Sequence, residues 1–280
     1  MVMGALCQLA TAQLADSVPT KKKADTIRIG NIIIIKNGTK DNGDSSHLSV
    51  EKKPKKLSNI STNWLIVDLG FTNYSDMTDY SNTGGYLFNR PGVAPLGKSD
   101  FGLNTGKSVN VNIWFFMQKL NLAKHHLNLK YGLGLDLNNY RYKSAVSYLE
   151  KNPFTPLATP SPVVIRDSIS FSKNKLAADY ITVPLMLNYT SNPQNKQHSF
   201  SVSVGVSAGY LYSQRNKQVS SDRGKKTNKG NYDLEQFKLS YIGEIGYGPL
   251  RFYGSYTPKT IYKTGLDIRP YTFGIRLSNW

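Results

Sequence analysis

Asp179-Tyr-Ile-Thr-Val-Pro-Leu-Met-Leu-Asn-Tyr189, followed after a polar turn by Phe200-Ser-Val-Ser-Val-Gly-Val-Ser-Ala-Gly-Tyr-Leu-Tyr212, is the stretch on which the fold turns. In the first segment Ile181, Val183, Leu185, Leu187 and Tyr189 occupy every second position, with Tyr180, Thr182, Pro184, Met186 and Asn188 between them. A period of two sends the two sets to opposite faces of a strand. The second segment repeats the pattern, with Phe200, Val202, Val204, Val206, Ala208, Tyr210 and Tyr212 against Ser201, Ser203, Gly205, Ser207 and Gly209. An apolar face opposite a small, polar one, repeated along a chain with aromatics at strand ends, predicts a barrel whose apolar face meets lipid.

Working outward, six more segments carry the same signal. From Asn63, Leu65, Val67, Leu69 and Phe71 alternate with Trp64, Ile66, Asp68, Gly70 and Thr72. Val109, Val111, Ile113, Phe115 and Met117 then alternate with Asn110, Asn112, Trp114, Phe116 and Gln118, and Leu127 to Leu137 with Asn128 to Asn138. After the central pair come Phe237, Leu239, Tyr241, Ile245 and Tyr247 against Lys238, Ser240, Ile242 and Glu244. Leu250, Phe252 and Tyr256 oppose Arg251, Tyr253 and Ser255, and Tyr271, Phe273, Ile275 and Leu277 oppose Thr272, Gly274, Arg276 and Ser278. The connections are alternately long and short. The expectation is an all-β, eight-stranded antiparallel up-and-down transmembrane β-barrel over 63–280, with short periplasmic turns, long extracellular loops and both ends in the periplasm of an outer membrane. An even strand number allows closure, which leaves no unpaired edge in lipid.

A soluble lipocalin-like barrel is the inverse arrangement, apolar inside and polar outside. Charge favours lipid outside. Asp68, Asp136 and Glu244 with Lys130, Lys238, Arg251 and Arg276 all fall on the mixed face. Each cation would cost about 2–4 kcal/mol on the lipid side near the midplane. These seven are predicted to form a structural ionic network in the lumen, with an ion or solute path as the alternative. Gly132, Gly134, Gly205, Gly209, Gly246 and Gly274 would make room there for Trp114, Tyr180 and Arg276. Eight strands leave a lumen just wide enough for side chains to fill, so a porin-width channel is not expected.

The mean hydropathy of −0.39, without an apolar run of roughly 18 residues, excludes a transmembrane helix and leaves a barrel open. The net charge of +17 is scattered, which argues against nucleic acid as a partner. One group, Arg215, Lys217, Arg223, Lys225, Lys226 and Lys229, lies in the connection 214–233, read as a basic extracellular loop for lipopolysaccharide phosphates, acidic glycans or another envelope protein. Residues 1–12, ending Ala10-Thr11-Ala12, read as the end of a signal peptide that contains the only cysteine, Cys7. Residues 13–62 read as a mostly disordered polar periplasmic segment or linker, in which Thr26 to Ile35 could form a strand or hairpin.

No catalytic, cofactor or metal site is predicted. The histidines are His47, His125, His126 and His198, one in the linker and three in short turns. Adjacent His125 and His126 alternate across a strand end and make a poor shared metal site. The expectation is a non-enzymatic barrel that binds or anchors through its loops.

Phe171-Ser-Lys-Asn-Lys-Leu176 followed by Tyr180-Ile-Thr-Val-Pro-Leu-Met-Leu-Asn-Tyr189 resembles a strand of PorT-like outer-membrane β-barrel proteins of Bacteroidetes. Gly205-Val-Ser-Ala-Gly-Tyr-Leu211 and Ile242-Gly-Glu-Ile-Gly-Tyr247 are similar to the strands that follow it there. The resemblance covers about 63–280 and implies an outer-membrane location and an eight-stranded barrel. The namesake is tied to protein secretion, a role that does not carry over. Such barrels commonly end on an aromatic residue in phase with the lipid face. Trp280 is terminal but three residues from Leu277, so a bulge near Ser278 is needed to restore the phase.

Overall fold

The structure, a computed structural model, describes residues 25–29, 32–37, 47–52, 56–154 and 161–278. The leader assigned to 1–12, Cys7 and the terminal Trp280 lie outside them. The chain divides into two compact units, Met1–Lys56 and Leu57–Trp280.

In the first unit β1 (Asp25–Ile29), β2 (Ile32–Asn37) and β3 (His47–Lys52) form an antiparallel sheet in the order β1-β2-β3. Thr26 to Ile35, read as a strand or a hairpin, falls within the paired strands β1 and β2. The third strand was not expected: His47-Leu-Ser-Val-Glu-Lys52 has too little apolar content to announce itself, but its backbone pairs with the free edge of β2.

In the second unit β4 (Ile60–Asp76), β5 (Val109–Ala123) and β6 (Leu127–Arg141) are followed by the short pair β7 (Val146–Leu149) and β8 (Val163–Arg166). Then come β9 (Lys173–Thr190), β10 (Phe200–Ser220), β11 (Gly224–Lys229), β12 (Phe237–Tyr247), β13 (Leu250–Tyr256) and β14 (Ile268–Leu277). Eight of these, β4, β5, β6, β9, β10, β12, β13 and β14, pair in chain order, and β14 pairs with β4 to close the ring. Following partners around it from Asp179 through Leu137, Val111, Leu69, Ile275, Phe252, Ile245 and Val202 returns to β9 at Tyr189, ten residues along. With a rise of about 3.3 Å and a strand spacing of about 4.8 Å, that stagger tilts the strands by about 40°, as in closed barrels generally.

The apolar faces point outward. Val67, Leu69, Ile181, Val183, Leu185, Leu187, Val204, Leu239, Ile245, Phe252 and Ile275 are all exposed. An apolar surface on that scale marks contact with something other than water, and it reverses the lipocalin-like arrangement. Along β9 the run from Ile181 to Tyr189 is about 26 Å long, or about 20 Å along the tilted barrel axis, close to the ~25 Å apolar band of outer-membrane barrels. Pro184 has no N–H to give β6, and the β6–β9 ladder skips Val183 and Pro184 without changing register.

Two bulges shift predicted faces. Leu65 has φ of 50° and is passed over in the pairing with β5, where Phe115 is passed over in turn. Each strand thus presents two successive outward residues. Trp64 and Phe116, assigned to the lumen from strict alternation, lie outside with ring centroids 5.9 Å apart; Trp64 is 70% exposed. Met117, assigned to lipid, turns inward at 0% exposure and packs with Ile66 and Trp114. An inserted residue in each strand inverts the parity beyond it.

One end of the barrel carries short turns. There Gly248, with φ of 58°, reverses the chain between β12 and β13. A Cβ on it would meet the Gln197 carbonyl oxygen at 2.7 Å, so glycine is required. The opposite end carries the connections 77–108, 142–172, 221–236 and 257–267. Their described residues do not form the solvated polar loops that composition suggested. Tyr86, Phe101, Tyr142, Tyr148, Tyr232 and Tyr262 are buried with Leu96, Val146, Val164, Leu234 and Ile261 in one core that also contacts Tyr140, Leu176 and Tyr180 of the barrel wall. Burial of each large side chain contributes about 1.5–3 kcal/mol. Several of the buried hydroxyls are paired, Tyr142 with Tyr148 at 2.6 Å, Tyr148 with Tyr262 at 2.8 Å, and Tyr86 donating to the Tyr232 carbonyl at 2.6 Å; the Tyr180 hydroxyl is buried without a protein partner. Burial pushes the Tyr142 phenol up to about 12, so it remains a donor at neutral pH.

Candidate functional site

Inside the barrel the strands bring five of the seven inward-facing charges together. Arg276 on β14 lies directly opposite Asp68 on β4 in the ladder and donates to both its oxygens at 2.6 Å. The same guanidinium reaches Glu244 on β12 at 2.6 Å. Glu244 also accepts from Lys130 on β6 at 2.8 Å and from Arg251 on β13 at 3.2 Å. A carboxylate with three cationic donors offsets the desolvation that would otherwise expel those charges. Trp114 donates its indole N–H to Asp68 at 2.7 Å and lies 5.4 Å beneath the Arg276 guanidinium. Lys238 pairs with Asp136 farther up, its ammonium 4.3 Å from the centroid of the Tyr180 ring.

The geometry therefore draws Asp68, Lys130, Glu244, Arg251 and Arg276 into one cluster and Asp136 and Lys238 into a second pair. Small residues opposite large ones permit this: a Cβ on Gly134 would meet the Trp114 ring at 2.7 Å. Gly246 makes room for Arg251, a side chain not among those the sequence suggested for these glycines. A cavity of about 40 Å³ lies among Trp114, Met117, Glu244, Tyr253 and Arg276, space for little more than a few water molecules. Above it sits the tyrosine-rich core of the long-loop end.

The second group of predicted residues lies outside the barrel at that end, and here the prediction of a loop is corrected. Arg215 and Lys217 belong to β10, Arg223 to the turn, and Lys225, Lys226 and Lys229 to β11. The chain keeps its strand geometry above the apolar band, where both faces turn polar and hydropathy no longer marks a strand. The group is not one continuous patch. Arg223 forks onto Asp167 at 2.8 and 3.1 Å, and Lys226 pairs with inward-phased Gln218. Arg215, Lys217, Lys225 and Lys229 share the outward face, with Arg215 bonded to Asp179.

Three cations that sequence reasoning passed over join that face: Arg141, Lys173 and Lys175. The signal was available, since Lys173 and Lys175 keep the parity of Ile181. Among the described residues no group of three His, Cys, Asp or Glu side chains gathers as a metal site.

The outer membrane protein β-barrel domain family matches residues 66–266. No curated protein matches the chain. Two solved structures are similar: Ail, the attachment invasion locus protein of Yersinia pestis, at 9% identity and a TM-score of 0.30 over 79% of this chain and 99% of that one, and Ail in complex with the heparin analogue sucrose octasulfate, at 10% identity and 0.28 over 76% and 96%.

Proposed function

Because the chain belongs to the outer membrane protein β-barrel domain family, we propose that it is a non-enzymatic barrel that binds or anchors a partner through its long-loop end, which faces the cell exterior while the short turns face the periplasm. The observation that carries this reading is the closed interior. The lumen is crossed by the Asp68–Arg276–Glu244–Lys130 cluster, and its mouth is filled by packed tyrosines. A solute path would need a wide, hydrated lumen; the chain instead invests its larger loops in a folded, charged outer surface. The PorT-like strand around Pro184 supports the same envelope location and a Bacteroidetes origin, and the leader-like 1–12 is consistent with export.

Planar-bilayer recording with the full chain tests this. Bilayers containing it are expected to stay electrically silent at moderate voltage. Discrete, large conductance steps would overturn the binding reading in favour of a channel.

A further inference from the structure

Above the apolar band, the outward positions of four neighbouring strands line up in rows. Arg141, Lys175, Lys217 and Thr227 form one, from β6 across β9 and β10 to β11. Asn139, Ala177, Arg215 and Lys229 form the row below it, and Lys173, Val219 and Lys225 the row above. Seven cations thus share one sheet face, and the carboxylate beside them, Asp179, is engaged by Arg215. Burial, then the charges of Lys173, Lys217 and Arg215, push the Lys175 ammonium down to about 8. An anion placed there would relieve that repulsion.

Next to the rows, β10 parts from β12 above Tyr210 and joins β11 only at Arg215. The gap is an open cleft of about 660 Å³ lined by Tyr212, Gln214, Lys229, Asn231, Gln236 and Lys263. Its volume is in the range of small-ligand sites, and amides, hydroxyls and lysines suit a phosphorylated sugar. Just beneath it, Tyr210 and Phe237 meet edge to face at 5.4 Å where the apolar band begins.

We propose that this face and cleft form a site for the phosphorylated saccharide headgroup of an outer-leaflet glycolipid, its phosphates on the lysine rows and its acyl chains running down the band past Tyr210 and Ile181. The occupant follows from continuity: a ligand that meets cations and a lipid-facing surface together is itself anionic at one end and apolar at the other. The inference rests on the outward orientation of the long-loop end proposed above.

The test is the affinity of the full chain in detergent for diphosphorylated lipid A, with dephosphorylated lipid A and a soluble acidic polysaccharide as competitors. Each lysine facing an anionic headgroup is worth about fivefold. The combined variant Lys175→Gln, Lys217→Gln and Lys229→Gln is therefore expected to weaken binding about a hundredfold. Removing the same charge elsewhere on that end, with Lys98→Gln, Lys107→Gln and Lys259→Gln, should leave it within about fivefold. Equal loss in both variants, or equal affinity for the dephosphorylated lipid, overturns the site. A soluble polysaccharide that matches lipid A in affinity and lysine dependence overturns the lipid as its occupant. Orientation is read separately, by labelling Thr227→Cys in a Cys7→Ser background on intact cells with a membrane-impermeant maleimide. Absence of labelling there contradicts the proposed function itself.

Discussion

Glu244 shows how much one side chain carries inside a narrow barrel. It is the shared counter-ion of Lys130, Arg251 and Arg276, each buried and each on a different strand. Removing one member of a buried ionic group leaves the others charged and uncompensated, at a cost of about 3–5 kcal/mol. Glu244→Gln keeps the shape and removes the charge. We expect it to lower unfolding resistance in urea by that amount, read from loss of the folded band on unboiled gels. An unchanged midpoint would mean that the cluster is hydrated and the lumen more open than described. The seven inward charges were legible as a set because they share one parity. Their partners were not, because which strand faces which across a lumen depends on stagger and closure, and alternation alone carries neither.

At the scale of the strand, one inserted residue decides which side chain meets lipid. The bulges at Leu65 and Phe115 inverted the assignments of Trp64, Phe116 and Met117, and nothing in the local composition marks either bulge. β10 offers a direct test of where the lipid band ends, since Val204 and Val219 both face outward, Val204 within the band and Val219 among the lysine rows. Val204→Arg should cost about 2–4 kcal/mol and impair assembly, while Val219→Arg should assemble normally. Equal tolerance would displace the band. Above it, the β10–β11 hairpin is held down by Arg223 on Asp167. Burial works to raise the Asp167 carboxyl, but Arg223 and Ser147 hold it below its usual value. The clamp's contribution is therefore complete above the ordinary carboxylate pKa of about 4 and is lost as pH falls through the lowered one. At neutral pH, Asp167→Asn should speed hydrogen exchange across 215–229 about two- to fivefold, the scale of one exposed bidentate pair; unchanged exchange would show that backbone pairing alone holds the hairpin.

For the molecule as a whole, the architecture was readable wherever burial or lipid imposes a period of two. Eight alternating segments, Ile181–Tyr189 and Phe200–Tyr212 foremost, closed into the expected ring. The long-loop end was not readable, because Tyr86, Tyr142, Tyr148 and Tyr262 are scattered through polar, proline-rich connections and gather only when four loops fold together. The basic hairpin was hidden for a related reason: once a strand leaves lipid, no face need be apolar. The whole molecule depends on a closed barrel embedded in lipid. Membranes extracted in mild detergent and run on SDS gels with and without boiling test that most directly. The protein is expected in the outer-membrane fraction and is expected to migrate differently once heated, because a closed ring resists SDS until its ladder is broken. Recovery from the soluble periplasm with identical migration in both lanes would contradict it.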